Sequence, residues 1–187
     1  MAQETESPAR MAWALTGSGH FFAETLELID SLEGQVDIFL SGAGEEVLQQ
    51  YGYDLKEIRA RHRVFRDNAA SSPPVGLFYY GHYHTVVIAP ATSNTVAKCV
   101  FGISDTLVTN IFAQAGKCRI PSVVFACDSA PHHWTEAPGG TVSVYPRQVD
   151  LENTEKLRAF EATEVVTDLA SLQSAVRARA RTEDAHA

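Results

Sequence analysis

The sequence predicts an α/β protein of the doubly wound kind, Rossmann-like or flavodoxin-like, a three-layer sandwich with a mostly parallel sheet. Three observations carry that expectation. Short apolar, largely β-branched runs (Met11–Leu15, Val36–Leu40, Val86–Ala89, Ile120–Ala126, Glu164–Val166) alternate with segments whose apolar residues recur at helical spacing. The run Val86-Val87-Ile88-Ala89 shows no polar alternation, as expected of a strand covered on both faces in a parallel sheet. Strands run into turns rich in glycine and hydroxyl side chains, at Thr16–Gly19, Ser41 and Thr92–Thr95. Doubly wound sheets bind ligands outside the C-terminal ends of their strands. The 187 residues suit one domain, expected over 11–180, between disordered tails at 1–10 and 181–187.

Met11–Leu15 reads as the first strand and Phe21 to Leu32 as a helix, with Phe22, Leu26 and Ile29 on one face. The turn between them, Thr16-Gly-Ser-Gly-His20, lets a backbone approach an anion closely and adds the Ser18 hydroxyl. Gly17-x-Gly19 lacks the third glycine of a dinucleotide fingerprint. Two roles suit His20, hydrogen bonding to a phosphate or substrate, and a helix-start histidine facing water. Val36–Leu40 is the second strand, and Ser41 at its end reads as the cap of a helix over Gly44–Gln50. A helix over Asp54–Arg61, a short strand within His62–Asp67 and a loop over Asn68–Pro74 follow. Gly76–Tyr83 is expected as a short aromatic helix before the central strand, which Pro90 ends because proline lacks a ladder N–H.

Thr92, Ser93, Asn94 and Thr95 then precede a helix beginning near Val96. Capping accounts for one or two of these polar residues, and the N–H groups and dipole of such a terminus favour an anion. Asp105 is expected to cap the next helix, which reaches about Gln114. Ile120–Ala126 is a buried strand, and Cys127–Trp134 beyond it belongs beside the same ligand edge. Thr141–Tyr145 alternates as a strand, Asp150 caps a helix over Leu151–Phe160, Glu164–Val166 is a last strand, and Asp168 caps a helix to about Arg179.

Net charge is −8, which argues against a phosphate-backbone partner. No apolar run reaches membrane-span length. The acidic start Met1–Ser7 lacks the pattern of a signal peptide, so a cytoplasmic location is expected. Cys99, Cys118 and Cys127 have no metal-ligand spacing and form no disulfide framework. His132 and His133, being adjacent, point oppositely in a strand and make a poor metal pair, so no metal is expected.

The stretch Pro90–Lys98, with Gly102 and Asp105-Thr-Leu107, resembles the Pro-Ala-Ser-Ala-Asn-Thr signature of the flavin-containing cysteine decarboxylase-like flavoproteins. That resemblance implies FMN as cofactor, held by Thr16, Gly17, Ser18, Gly19, His20, Ser41, Ala91, Thr92, Ser93, Asn94, Thr95 and Asp105. The cysteine decarboxylases carry a methionine–asparagine clamp where this chain has Cys127-Asp-Ser-Ala-Pro-His-His-Trp134, a departure that argues against a cysteinyl substrate. With Ser41–Leu48, Val144–Arg147 and Val149–Asn153, the chain looks most like dihydromethanopterin reductases of the B type. Such proteins use FMN to reduce dihydromethanopterin or a similar dihydropterin in one-carbon metabolism. By position, His84 or Asp128 would supply the proton. The electron donor implied is another reduced flavin, a small redox protein or NAD(P)H. The resemblance also implies a homo-oligomer built from trimers, with a closed shell as its larger form. A flavin-dependent decarboxylase or prenyltransferase, and a non-catalytic FMN carrier, are the alternatives.

Overall fold

The computed structural model describes residues 10–32, 35–67, 72–137 and 139–184. Its elements run β1 (Arg10–Leu15), α1 (Phe22–Asp30), β2 (Val36–Leu40), α2 (Gly42–Gln50), α3 (Leu55–Arg61), β3 (Arg63–Arg66) and α4 (Ser72–Gly76). A 3₁₀ turn, Leu77–Tyr80, leads into β4 (Tyr83–Ala91), α5 (Ser93–Val100), α6 (Leu107–Lys117) and β5 (Ser122–Ala126). β6 (His133–Ala137), β7 (Gly140–Val144), α7 (Gln148–Arg158), β8 (Thr163–Val166) and α8 (Leu169–Asp184) complete the described chain. Six strands form one sheet in the order β3-β2-β1-β4-β5-β8, every neighbouring pair parallel. The chain winds outward from β1 in one direction and from β4 in the other, so the topological switch point lies between them.

Strand geometry sends successive side chains to opposite faces, and β1 supplies both cores. Met11, Trp13 and Leu15 pack with apolar residues of α1, α2, α3 and α8 on one side. Ala12 and Ala14 pack with Phe78, Val96, Leu107, Ile111 and Leu157 on the other. Trp13 is fully buried, and its indole N–H donates to the Ala89 carbonyl at 2.8 Å, tying β1 to β4. The three-layer expectation is met.

Several local expectations are corrected. Arg10 belongs to β1, not to a tail. Its guanidinium donates to Asp37 at 2.8 Å, and the Tyr83 hydroxyl donates to the same buried carboxylate at 2.8 Å. At the other end, α8 runs to Asp184 where a disordered tail from 181 was expected. Residues 1–9 and 185–187 lie outside the described residues. The strand β4 continues through Pro90 to Ala91. Its register with β5 skips from Ile88 to Ala91, so the ladder asks for no N–H at position 90. Within the expected loop Asn68–Pro74, 68–71 lie outside the described residues and Ser72 onward is helical.

Asp105 does not cap α6. Its carboxylate accepts from Lys98 Nζ at 2.8 Å and 2.9 Å, and Thr106 takes the cap position in a reciprocal pair with Thr109. The helix expected from Leu151 begins three residues earlier, at Gln148. Asp150 reaches back from its first turn to accept the Arg147 N–H at 2.9 Å. The strand expected over Thr141–Tyr145 is β7, and the unforeseen element is its partner β6, with which it forms a two-stranded antiparallel ribbon separate from the main sheet.

Candidate cofactor and active site

The C-terminal ends of β2, β1, β4 and β5 lie side by side, and each releases one of the turns singled out in the sequence. The Thr16 hydroxyl, buried after β1, donates to the Pro90 carbonyl at 2.7 Å and accepts the Thr92 N–H at 3.1 Å. One side chain thereby locks the two turns that flank the switch point. Gly17 and Gly44 are glycines for lack of room. A Cβ at Gly17 would stand 2.6 Å from Ala43 Cβ, and one at Gly44 would stand 2.7 Å from the Leu15 carbonyl oxygen. The β1 turn is therefore pressed against the start of α2, where the Ser41 hydroxyl accepts the Gly44 N–H at 2.9 Å.

On the β4 side, Thr92 caps α5, its hydroxyl accepting the Thr95 N–H at 3.3 Å. Ser93 and Asn94 occupy the first turn of that helix, Asn94 exposed and Thr95 buried. Ala91 is the buried last residue of β4. The N–H of Ser93 donates to Asp128 Oδ2 at 3.3 Å, so a carboxylate from the β5 loop sits at the positive end of α5. Ser18 donates to Cys127 Sγ at 3.3 Å and accepts the His20 N–H at 3.2 Å. Burial, opposed only in part by that Ser18 contact, pushes the Cys127 thiol up to about 12. It stays a neutral thiol near pH 7 and is no nucleophile there.

The hairpin covers this edge. His20 Nδ1 lies 3.1 Å from the Thr135 hydroxyl on β6, and the His20 and His133 rings are 5.0 Å apart. His133 Nε2 is 3.8 Å from Asp128 Oδ1, while its Nδ1 is buried with no hydrogen-bond partner among the described residues. Burial and then His133 lower the His20 pKa, with Asp128 and Glu24 opposing, so His20 is mostly neutral at pH 7. Tyr51 from the end of α2 donates to the Glu136 carbonyl at 2.9 Å, tethering the hairpin. Phe21, between the turn and α1, sits at φ 52°, a left-handed backbone, with its ring stacked on Phe125.

The structure thus brings together Thr16, Gly17, Ser18, Gly19, His20, Ser41, Ala91, Thr92, Ser93, Asn94, Thr95 and Asp128 at one edge. It does not bring His84 there. His84 is the second residue of β4, seven residues before Ala91 and so roughly 23 Å away along an extended strand. Asp105 lies past the C-terminal end of α5, exposed and engaged with Lys98. Sequence reasoning missed His133 and Thr135 as site residues. The available signal was the placement of Cys127–Trp134 beside the ligand edge, with His133 and Thr135, two apart, sharing one face of a strand. The expectation that His132 and His133 point oppositely holds, since His132 turns to Ser143 and the exposed Tyr145 ring. Among the described residues no group of three or more His, Cys, Asp and Glu is placed to hold a metal. A separate cavity of about 350 Å³ lies between α5, α6 and the β8 edge, lined by Ile103, Phe112 and Phe160, and no turn residue reaches it.

Hydroxyls, helix N-termini and a buried orphan imidazole nitrogen at a switch point fit a phosphate-bearing group with a polar reacting end. Fold and crevice together define an α/β protein of the doubly wound, ligand-binding class. A family model described as Flavoprotein matches residues 1–184, and the chain belongs to that family. The crystal structure of Burkholderia xenovorans DmrB in complex with FMN, described as a cubic protein cage for redox transfer, is 53% identical with a TM-score of 0.86. That alignment covers 96% of this chain and 99% of the Burkholderia chain. Dihydromethanopterin reductase (acceptor) of Methanosarcina mazei is 36% identical over 153 residues, 75% of this chain. This chain spans 61% of that curated relative's length. A dodecameric FMN-dependent UbiX-like decarboxylase from Escherichia coli O157:H7 has a TM-score of 0.66 at 14% identity, over 91% of this chain and 92% of its own, a likeness of fold alone.

Proposed function

We propose that this flavoprotein is an FMN-dependent oxidoreductase that reduces dihydromethanopterin, or a similar dihydropterin, to the tetrahydro form. The observation that carries this reading is the convergence of three hydroxyl-bearing turns, two of them locked together by Thr16, under a hairpin whose His133 meets His20 of the β1 turn at that edge. The named relatives support the cofactor and the substrate class. FMN, when bound, supplies the hydride chemistry. In this reading Gly17–His20, Ser41 and Thr92–Thr95 hold the phosphate and ribityl chain. Asn94, exposed at the start of α5, faces the ring or substrate, and Asp105 acts at a distance by holding the loop after α5 through Lys98. Asp128 belongs to the reacting end, whereas His84, at the other edge of the sheet, is left out. The hairpin excludes water from the face of the crevice it covers.

The donor is another reduced flavin, a small redox protein or NAD(P)H visiting the same edge. Donor and acceptor sharing one opening would give ping-pong kinetics. Among the described residues no helix is long and apolar enough to cross a membrane. We place the protein in the cytoplasm, as a homo-oligomer built from trimers.

The test is an anaerobic absorbance titration. The purified protein, reconstituted with FMN, should show the two visible bands of oxidised flavin and bleach on reduction. Dihydropterin should then restore the colour in stoichiometric amount. Flavin that stays reduced would refute the substrate, and a protein that takes up no FMN would refute the cofactor.

A further inference from the structure

We propose that His133 supplies the proton at this site, with Asp128 as the residue that positions it. The inference rests on the dihydropterin reading above, and its starting point is an anomaly. His133 Nδ1 is buried without a partner among the described residues, in a site otherwise well supplied with hydrogen bonds. A buried polar atom left unpaired is destabilising, and such atoms are rare enough in native folds to call for a reason. Here the two ring nitrogens have different surroundings. Nε2 faces Asp128 Oδ1 at 3.8 Å, and Asp128 is itself anchored by the Ser93 N–H through its other oxygen. At 3.8 Å the carboxylate acts on the imidazole through its charge rather than through a hydrogen bond, and Nδ1 is the ring nitrogen left without a protein partner and so the one assigned to the substrate.

Three separate elements converge on this histidine. β6 carries it, the β5 loop carries Asp128, and the β1 turn carries His20, whose ring stands 5.0 Å away. His20 is committed through Nδ1 to Thr135, and so is the less free of the two histidines. The charged and titratable groups that face the pair are Asp128, Glu24 and the neutral Cys127 thiol, and the Arg147 charge is felt at Asp128.

The step balances. Reduction of a C=N bond places a hydride, from the reduced flavin, on carbon and a proton on nitrogen. The protonated His133 breaks its Nδ1–H bond, keeps the electron pair and becomes neutral imidazole. Solvent returns the proton between turnovers.

The experiment compares wild type with His133→Asn and Asp128→Asn, each loaded with FMN and reduced anaerobically. The reduced proteins are mixed with dihydropterin and, separately, with ferricyanide, an acceptor that needs no proton delivered to a nitrogen. His133→Asn should slow reoxidation by dihydropterin by ~10²–10⁴-fold, leave ferricyanide reoxidation within about twofold, and lose the alkaline-side limb of the pH profile. An unchanged dihydropterin rate and profile would overturn the proposal. Histidine titration by NMR gives a second readout, independent of turnover. His133→Asn should raise the His20 pKa and Asp128→Asn should lower it, because the two groups act on His20 in opposite directions. A His20 titration that moves in neither variant would overturn the cluster itself. That readout stands even where wild type fails to reduce a dihydropterin, so failure of the substrate reading and failure of this one are told apart.

Discussion

The Thr16 hydroxyl holds two turns at once, donating to the Pro90 carbonyl and accepting the Thr92 N–H. Thr16→Val keeps the shape and strands both backbone groups. It should cost about 1–3 kcal/mol, with the melting temperature falling ~2–4 °C per kcal/mol, whereas Thr16→Ser should retain most of the stability. Calorimetry on the three proteins checks this, and equal losses in Val and Ser would contradict the hydrogen-bond account. His20 makes a pH prediction. Its folded pKa lies below the ordinary histidine value of 6.5, so between the two values the unfolded chain binds more protons than the native one. Stability is therefore full above the unfolded value, falls as pH drops through about 6.5, and levels off below the folded value. Melting curves from pH 8 to pH 5 should show a shallower acid slope in His20→Gln than in wild type, and parallel slopes would contradict the shift.

Between elements, the close approach of β1 to α2 is the tightest demand. A Cβ at Gly44 meets the Leu15 carbonyl, which is backbone and has no rotamer to yield. Gly44→Ala should destabilise by about 1–3 kcal/mol and weaken FMN binding, read by chemical denaturation and fluorescence titration. Gly19 is a softer case, since its Cβ would meet the Tyr51 hydroxyl, the end of a side chain. At this scale much of the fold was legible. The strands and most helices follow from apolar periodicity, and the Ser41 cap and the Thr92 cap follow from hydroxyls placed ahead of helical runs. What was not legible depended on partners distant in sequence. Pro90 stays within β4 because of a register shift against β5, and Asp105 yields the cap to Thr106 because Lys98 holds its carboxylate. Of the hairpin, β7 was legible from its alternation, whereas β6 and the pairing were hidden because the two strands lie against turns rather than in the main sheet.

At the scale of the whole molecule, the structure leaves large apolar side chains at the surface. Phe101 and Ile103 are exposed beyond α5, and Tyr79 and Tyr80 are exposed in the 3₁₀ turn. Exposed aromatics of this kind are common where chains associate. Light scattering should give a mass that is a multiple of three times the 20.4 kDa chain. A monomer across the micromolar range would refute the assembly. The net charge of −8 should keep such an assembly from binding nucleic acid non-specifically.

By itself the sequence determined the fold class, the places where the chain turns, and the chemistry available at those turns. Periodicity and small polar residues are local properties, and local spacing reports them. Only the tertiary structure decided which of those residues meet. It set Thr16 between two turns, put Asp128 at the head of α5, aimed His133 at His20 and left His84 at the far edge of the sheet. Strand order and register place residues from separate parts of the chain within hydrogen-bonding distance, and no spacing along a single strand or helix encodes that.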